Sequence, residues 1–312
     1  MPTKKIDLSI VILSYNTEKF IKACLGSVIK AAQGLAKPVE IIFVDNASTD
    51  DSVKVIKEEK TKHRTEKIKI EIILSNKNLG YSGGNNLGLK QAKGKYILFL
   101  NMDTIVFPNA FKEAVEFMES NKKVGALSAK TLLISGGMDP DCHRGFPTPW
   151  ASISYFLGLE KLFPKSKIFG QYHQSYLGFD KNHEIDAGFG TFMIARKEVL
   201  DQVGPWDESY FFYGEDLDYF YRIKKAGYKI WFYAKPLLRH FKGGSSGLRK
   251  ESRKLSSASR ETRIKTAQAS VKAMEIFYHK FYKDKYPAWV TFLVLMGIKI
   301  KGFFRILYHR FS

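Results

Sequence analysis

The chain has 312 residues, 45% of them hydrophobic and 14% aromatic, which suits one large α/β domain with an appendage, or two small domains, with a core that needs no staples. Ten prolines and 24 glycines exclude a collagenous or low-complexity chain, and the two cysteines, Cys24 and Cys142, are too few for a disulfide framework or a four-cysteine zinc site. The formal net charge of +19 is concentrated in the tail: residues 241–312 carry 16 Lys/Arg against 4 Asp/Glu, a net of +12 that leaves +7 for the 240 residues before them.

So few cysteines fit a reducing cytoplasm. The first apolar run is about six residues long and lacks a small-residue cleavage site, so it reads as a strand rather than a signal peptide. Short buried strands are predicted at Leu8–Leu13, Val39–Val44, Ile70–Leu74, Tyr96–Leu100 and Val124–Ser128. Between them, Glu18–Ala31, Asp50–Lys60, Asn85–Ala92 and Pro108–Ser120 carry helical signals, with Pro108 at a first helical position. This alternation over residues 1–130 predicts a largely parallel sheet covered by helices on both faces, with ligands at the carboxyl ends of its strands. Residues 131–185, weakly periodic and rich in Gly, Pro, His and aromatics, read as an irregular segment or lid. Regular signals resume with a strand at Phe189–Ala195, a helix at Lys197–Val203, a helix at Glu215–Ala226 ended by Gly227, and a strand at Lys229–Tyr233. GGSSG at 243–247 reads as a flexible turn, residues 250–285 as basic helix, and residues 287–311 as an apolar stretch broken by Lys299, Lys301, Arg305 and Arg310.

Four polar clusters fall where strands are expected to end: Ser14-Tyr15-Asn16, the VDNASTDDS run with Asp45 at its head, NLGYSGGNN over Asn78–Asn86, and LNMDT with Asp103. Any one of them reads most simply as a helix cap or a turn. Four converging on one sheet edge point to a ligand site. Asp45 can accept from a base imide or a ribose hydroxyl, and Gly83-Gly84 permits close backbone approach whose amides can meet a phosphate. Asp103 is a hard oxygen ligand suited to Mg²⁺ or Mn²⁺ on a diphosphate. No Walker P-loop is present, and no GxGxxG follows the first strand. Further on, Glu215, Asp216 and Asp218 open a helix, where acids also serve simply to balance the helix dipole. Glu215 and Asp216 adjoin the aromatic run Tyr210–Tyr213, which suits a general base of raised pKa. His240, after the strand at Lys229–Tyr233, becomes a metal ligand only if it shares a site with Asp103.

VILSYN, VDNASTD, NLGYSGGNN, LNMD, GTFMIARKEVLDQVGPWDE, YGEDLDYFYRIKKAGY and the His240-GGSSG stretch occur in the order seen in family-2 glycosyltransferases. More narrowly they look like the bacterial rhamnosyltransferase-like members that build cell-surface polysaccharide. The resemblance spans residues 6–247. It implies the A-type glycosyltransferase fold, a nucleotide-diphosphate-sugar donor, a divalent metal and an inverting displacement onto a hydroxyl of a glycan or lipid-linked acceptor. By the same resemblance Ser14, Asn16 and Asp45 hold the nucleoside, Gly83, Gly84 and Asn85 line the donor pocket, and Asn101-Met102-Asp103 stands at the Asp-x-Asp position. Asp216 would be the base, Glu215 a positioning acid, and His240 would complete a metal shell with Asp103. Asn101 departs from the pattern, and one charge fewer weakens metal binding.

The domain organisation read from the sequence is a catalytic unit at 1–247, with a donor half at 1–130 and an acceptor half at 131–247, followed by a basic helical tail at 248–312. Only 11 residues from Ala288 to Ile298 precede the first lysine of the last stretch, short of the ~20 a spanning helix needs. Cations mixed with Trp289, Phe292, Phe303 and Phe304 fit a helix lying in an anionic membrane interface, as a peripheral protein on the inner face of the cell membrane; a basic helix packed on the catalytic unit is the alternative. Nucleic-acid binding is set aside for lack of any recognition motif. A non-catalytic scaffold in polysaccharide assembly stays open through Asn101. Nucleotidyl transfer is disfavoured by the absence of a basic Gly-rich loop after the first strand.

Overall fold

The computed structural model describes residues 6–63, 67–242 and 259–311. The first half runs β1 (Leu8–Ser14), α1 (Glu18–Gln33), β2 (Val39–Asp45), α2 (Ser52–Lys62), β3 (Ile68–Leu74), α3 (Gly80–Gln91), β4 (Tyr96–Asn101), β5 (Thr104–Val106), α4 (Ala110–Ser120) and β6 (Val124–Leu133). After it come α5 (Pro149–Phe156), α6 (Leu159–Leu162), β7 (His183–Ile185), β8 (Phe192–Arg196), α7 (Lys197–Val203), α8 (Glu215–Lys225) and β9 (Lys229–His240), then α9 (Arg260–Phe281) and α10 (Ala288–Phe311).

The strands form one sheet in the order β3-β2-β1-β4-β8-β6-β9-β5, with β7 also paired to β9. The four strands β3, β2, β1 and β4 are mutually parallel, β6 and β9 are parallel, and β8 runs antiparallel between β4 and β6. The sheet is therefore mixed, and strands from either side of residue 130 build it together. Side chains on β1 alternate between its two faces. Ile10 and Ile12 pack with Ile21, Leu25 and Phe111 under α1 and α4, whereas Val11 packs with Phe99, Tyr219 and Phe220 on the other face. Burial on both sides explains why these strands read as continuous apolar runs.

Several boundaries differ from the expectations, each for a physical reason. Helix α4 begins at Ala110 after Asn109, so Pro108 stands outside the helix rather than at its first position. Strand β9 continues past Tyr233 to His240: Lys235-Pro236 interrupts its pattern, but pairing with β6 resumes at Leu238 opposite Thr131. Residues 131–185 contain α5, whose cap is the Thr148 hydroxyl accepting from the Ala151 amide at 3.1 Å. GGSSG lies outside the described residues.

Both C-terminal helices are packed, α9 on the core and α10 on α9. Ala273, Phe277 and Tyr278 bury α9 against the same core as α8, and Lys280 reaches both Asp207 and the fully buried Asp218 at 2.5 Å. Helix α10 packs on α9 through Gly302 against Val271 and through Thr291, whose hydroxyl meets that of Tyr278 at 3.0 Å.

Helix α3 approaches β1 and β2 closely because it is glycine-rich: a Cβ on Gly88 would lie 2.4 Å from Val11 Cγ1 and 3.2 Å from Val44 Cγ2. Those β-branched side chains have no room to turn away. Gly88→Ala should lower the thermal midpoint, because overpacking costs about 1–3 kcal/mol against a helix-propensity gain of about 1 kcal/mol. Gly26→Ala, on α1 with open space at its Cβ, should raise it; unfolding followed by circular dichroism separates the two.

Candidate active site

Strands β1 and β2 end side by side, Ser14 in register with Asp45, and the loops that leave them are stitched together. Asn16 sits at φ 52°, donates its backbone N–H to Ser48 Oγ at 2.9 Å and accepts the Thr49 N–H on Oδ1 at 2.8 Å. Ser14 is fully buried and shares a hydrogen bond with the Thr17 hydroxyl at 2.8 Å. These two residues shape the loop. Asp45, also buried, accepts the Ser48 N–H on Oδ2 at 3.0 Å, while its Oδ1 has no partner within the protein. An orphaned buried acceptor costs about 1–3 kcal/mol or more, so Oδ1 is set to receive a donor from a ligand.

The glycine cluster corrects an expectation. It is not a loop: α3 starts at Gly80, five residues earlier than the periodicity suggests. The early amides are satisfied from elsewhere, Leu79 N–H by Asn46 Oδ1 at 2.9 Å, Gly80 N–H by Asn78 Oδ1 at 2.9 Å and Tyr81 N–H by the Phe211 carbonyl at 2.8 Å. Those amides are consequently unavailable as a phosphate cradle. Gly83 and Gly84 lie inside the helix, with a Cβ on Gly84 falling 2.4 Å from Leu13 Cδ1, and Asn85 turns its amide to the Tyr81 carbonyl at 3.0 Å. Gly84 brings α3 against β1, Gly83 lies against Leu79, and Asn85 bonds within its own helix.

Asn101 closes β4, its side chain donating to Thr191 Oγ1 at 3.2 Å. Pairing of β5 with β9 sets Thr104 opposite His240, and this register brings His240 Nε2 to 3.4 Å from Asp103 Oδ1. His240 is thus the last residue of β9. Its Nδ1 lies 3.2 Å from Asp139 Oδ2, and Asp139, fully buried, also binds Lys242, whose ammonium reaches Asp141 at 2.5 Å. Burial presses the His240 pKa down, but Asp103 and then Asp139 outweigh it and bring it up to about 9. Among the described residues no three His, Cys, Asp or Glu are grouped to hold a metal ion. Asp103 and His240 form a two-donor oxygen and nitrogen set, which fits Mg²⁺ or Mn²⁺ when phosphate oxygens and water supply the remaining ligands.

Glu215 and Asp216 open α8 after Tyr213 (φ 70°) and Gly214 (φ 83°), two successive left-handed residues. Such backbone at a tyrosine costs of order 1–3 kcal/mol and is typical of functional sites. Glu215 is buried with Oε2 unpartnered, and burial, followed by the charge of Asp216, raises its pKa well above the carboxylate range. Asp216 instead accepts from Arg144 Nη2 at 2.7 Å and from the Gly190 N–H at 3.3 Å. Arg144 donates through Nε to the Gly188 carbonyl at 3.0 Å, and the Tyr81 hydroxyl donates to the Gly190 carbonyl at 2.7 Å. Burial, and then the neighbouring Glu215, Asp216 and Asp103 carboxyl groups, raise the Tyr81 pKa. A Cβ on Gly190 would fall 2.5 Å from that hydroxyl.

Arg144, Asp139, Lys242 and Tyr81 line the candidate site and were not singled out from the sequence. Arg144 and Asp139 lie in the segment read as a lid, and Tyr81 lies in the segment read as a turn. The signal for Arg144 and Asp139 is charge in a stretch rich in Gly, Pro and aromatics, which does not reveal that the partner of Arg144 is 72 residues away.

The sequence model described as Glycosyl transferase family 2 matches residues 9–204. The chain is 25% identical over 228 residues to the low-salt glycan biosynthesis hexosyltransferase Agl10 of Haloferax volcanii, covering 72% of this chain and 64% of that protein. It is 34% identical over 153 residues to the UDP-Glc:alpha-D-GlcNAc-diphosphoundecaprenol beta-1,3-glucosyltransferase WfaP of Escherichia coli, covering 47% of this chain and 57% of that one. The chain thus spans less than two thirds of the length of either relative. Among solved structures, the mannosyltransferase PcManGT from Pyrobaculum calidifontis, in complex with GDP-Man and Mn²⁺, superposes with a TM-score of 0.56 at 14% identity, covering 99% of this chain and 74% of that chain. That likeness shows the fold.

The His240 clamp has a pH signature. A histidine whose pKa is raised on folding contributes stability that is complete below its unfolded value, about 6.5, and is lost as pH rises through about 9. With chelator present, the thermal midpoint should therefore fall across that window more steeply in the unmodified protein than in His240→Gln. Equal slopes would remove the charged histidine from the clamp.

Proposed function

The chain belongs to glycosyl transferase family 2 and has its A-type fold, and from that premise we propose that it is an inverting hexosyltransferase. The donor is a nucleotide-diphosphate sugar carrying rhamnose or another hexose, and the acceptor is a hydroxyl of a glycan or lipid-linked glycan in cell-surface polysaccharide synthesis. The activities for which Agl10 and WfaP are named support the hexosyl and lipid-linked parts of this reading. The observation that carries it is the pair of buried carboxylate oxygens without partners, Asp45 Oδ1 and Glu215 Oε2, in a fold whose ligands gather at strand carboxyl ends.

In this reading residues 1–247 are the catalytic unit, with the donor half before residue 130. Asp45 accepts from the nucleoside, and Ser14, Asn16 and Asn46 keep its loop in place. Gly84 acts through the approach of α3 to β1, and Gly83 and Asn85 through the first turns of α3. Asp216, held by Arg144, takes the acceptor hydroxyl proton as the oxygen attacks the anomeric carbon from the face opposite the diphosphate. The bond from that carbon to the diphosphate oxygen breaks, and the configuration inverts. Glu215, whose pKa burial raises, stands beside the base as the positioning acid. Asp103 and His240, with Asn101 beside them, would hold Mg²⁺ or Mn²⁺, whose role when bound is to neutralise charge on the leaving diphosphate. The tail attaches the protein to the anionic inner face of the cell membrane.

A screen of UDP-, GDP- and dTDP-sugars by thermal shift, with and without Mn²⁺, tests the donor assignment. One donor should raise the midpoint, and more so with metal; no shift from any donor moves the reading to a non-catalytic scaffold. Asp216→Asn should cut transfer by about 10²–10⁴ while the same donor still binds. Loss of donor binding in a folded variant would take Asp216 out of the base role.

A further inference from the structure

Sixteen of the 21 large apolar side chains exposed among the described residues lie in two segments, 150–168 and 289–308. The first comprises α5, α6 and the turn after them, where Trp150, Phe156, Leu157 and Leu162 are 44–70% exposed. On α10, Trp289, Phe292, Met296, Ile300 and Phe303 follow helical spacing, so one whole side of that helix is apolar and open. Its opposite side is accounted for by α9 and the core, through Val294, Leu295, Gly302 and the buried His309. The two segments meet: the Lys301 ammonium lies 3.8 Å from the centre of the Phe156 ring. Burial, and then Arg305, lowers the Lys301 pKa to about 8.

We propose that α5–α6 and α10 together form one docking face for an anionic lipid bilayer. This rests on the membrane attachment proposed above for the tail and extends it into the catalytic unit. The charge around the face selects the occupant. Lys161, Lys165, Lys167, Lys299, Lys301, Arg305 and Arg310 flank it, while its sole acid, Glu160, is buried and accepts the His173 N–H at 3.0 Å. A second copy of the chain would set cations against cations; anionic headgroups complement them, and the apolar side chains enter the acyl boundary. No helix among the described residues is long and apolar enough to cross a membrane, so α10, about 36 Å long by its rise, lies along the surface. Helix α5 also follows Arg144, the partner of Asp216, by only a few residues. Docking therefore brings the bilayer beside the segment that holds the base, where a lipid-carried acceptor would arrive.

The test uses the full chain and vesicles of phosphatidylcholine with phosphatidylglycerol. Trp150 and Trp289 are the exposed tryptophans of the face, so Trp289→Phe leaves Trp150 as its reporter. Brominated lipid should quench Trp150, and Phe156→Asp/Leu157→Asp should weaken co-sedimentation by roughly tenfold for each apolar side chain withdrawn, with the donor-induced thermal shift retained as a check on folding. Binding that persists in this variant, with Trp150 unquenched, would overturn the shared face and leave the tail attachment standing. No binding by the full chain would overturn both and leave donor binding and glycosyl transfer untouched. A lipid-free dimer that the same variant dissociates would assign the face to a second copy and overturn the proposal.

Discussion

The antiparallel insertion of β8 between β4 and β6 is the constraint on which the site depends. A run of parallel strands offers a ligand only strand ends, whereas β8 begins beside the end of β4, Phe192 opposite Leu100. The turn that enters it, residues 187–191, therefore lies among the polar groups and holds four of them. Its Gly188 carbonyl holds Arg144, its Gly190 carbonyl holds Tyr81, its Gly190 amide meets Asp216, and Thr191 meets Asn101. Small residues are required there. A Cβ on Gly188 would fall 2.3 Å from the Ser128 Cβ, as close as the clash at Gly190.

Charge in the site is arranged in two groups, each with one more acid than cation. Asp103, Asp139 and Asp141 are matched by His240 and Lys242, and the Glu215–Asp216 pair is matched by Arg144. Asp139 is buried deeply enough that removing His240 and Lys242 would leave an uncompensated charge in low dielectric. A cation entering beside Asp103 must compete with the proton on His240, because a metal-bound imidazole is neutral.

The parallel half of the fold was legible because double-sided burial writes long apolar runs into β1, β2 and β4, and because each run ends in a polar cluster. Asp45, Asp103, Asp216 and His240 could be picked out for the same reason: they follow a strand or open a helix. What escaped was anything fixed by distant partners. Helix α3 starts early because Asn46 and Phe211 supply its hydrogen bonds from 33 and 130 positions away. β5 and β7 are three residues each and exist only through pairing with β9. Arg144 looks like an isolated basic residue until Asp216 folds beside it.

The grip of Lys280 on Asp218 bears on how modular this chain is. The sequence invites a cut after the catalytic motifs, as though the rest were an accessory. Helix α9, however, supplies a cation to a fully buried acid on the helix that carries Glu215 and Asp216, and its Phe277 and Tyr278 complete the core beneath that helix. A shortened chain lacking α9 would bare an aromatic cavity and leave Asp218 with Arg222 as its remaining ionic partner. A boundary drawn after residue 247 would thus divide one core, since the helix that opens with Glu215 and Asp216 rests on side chains from beyond it.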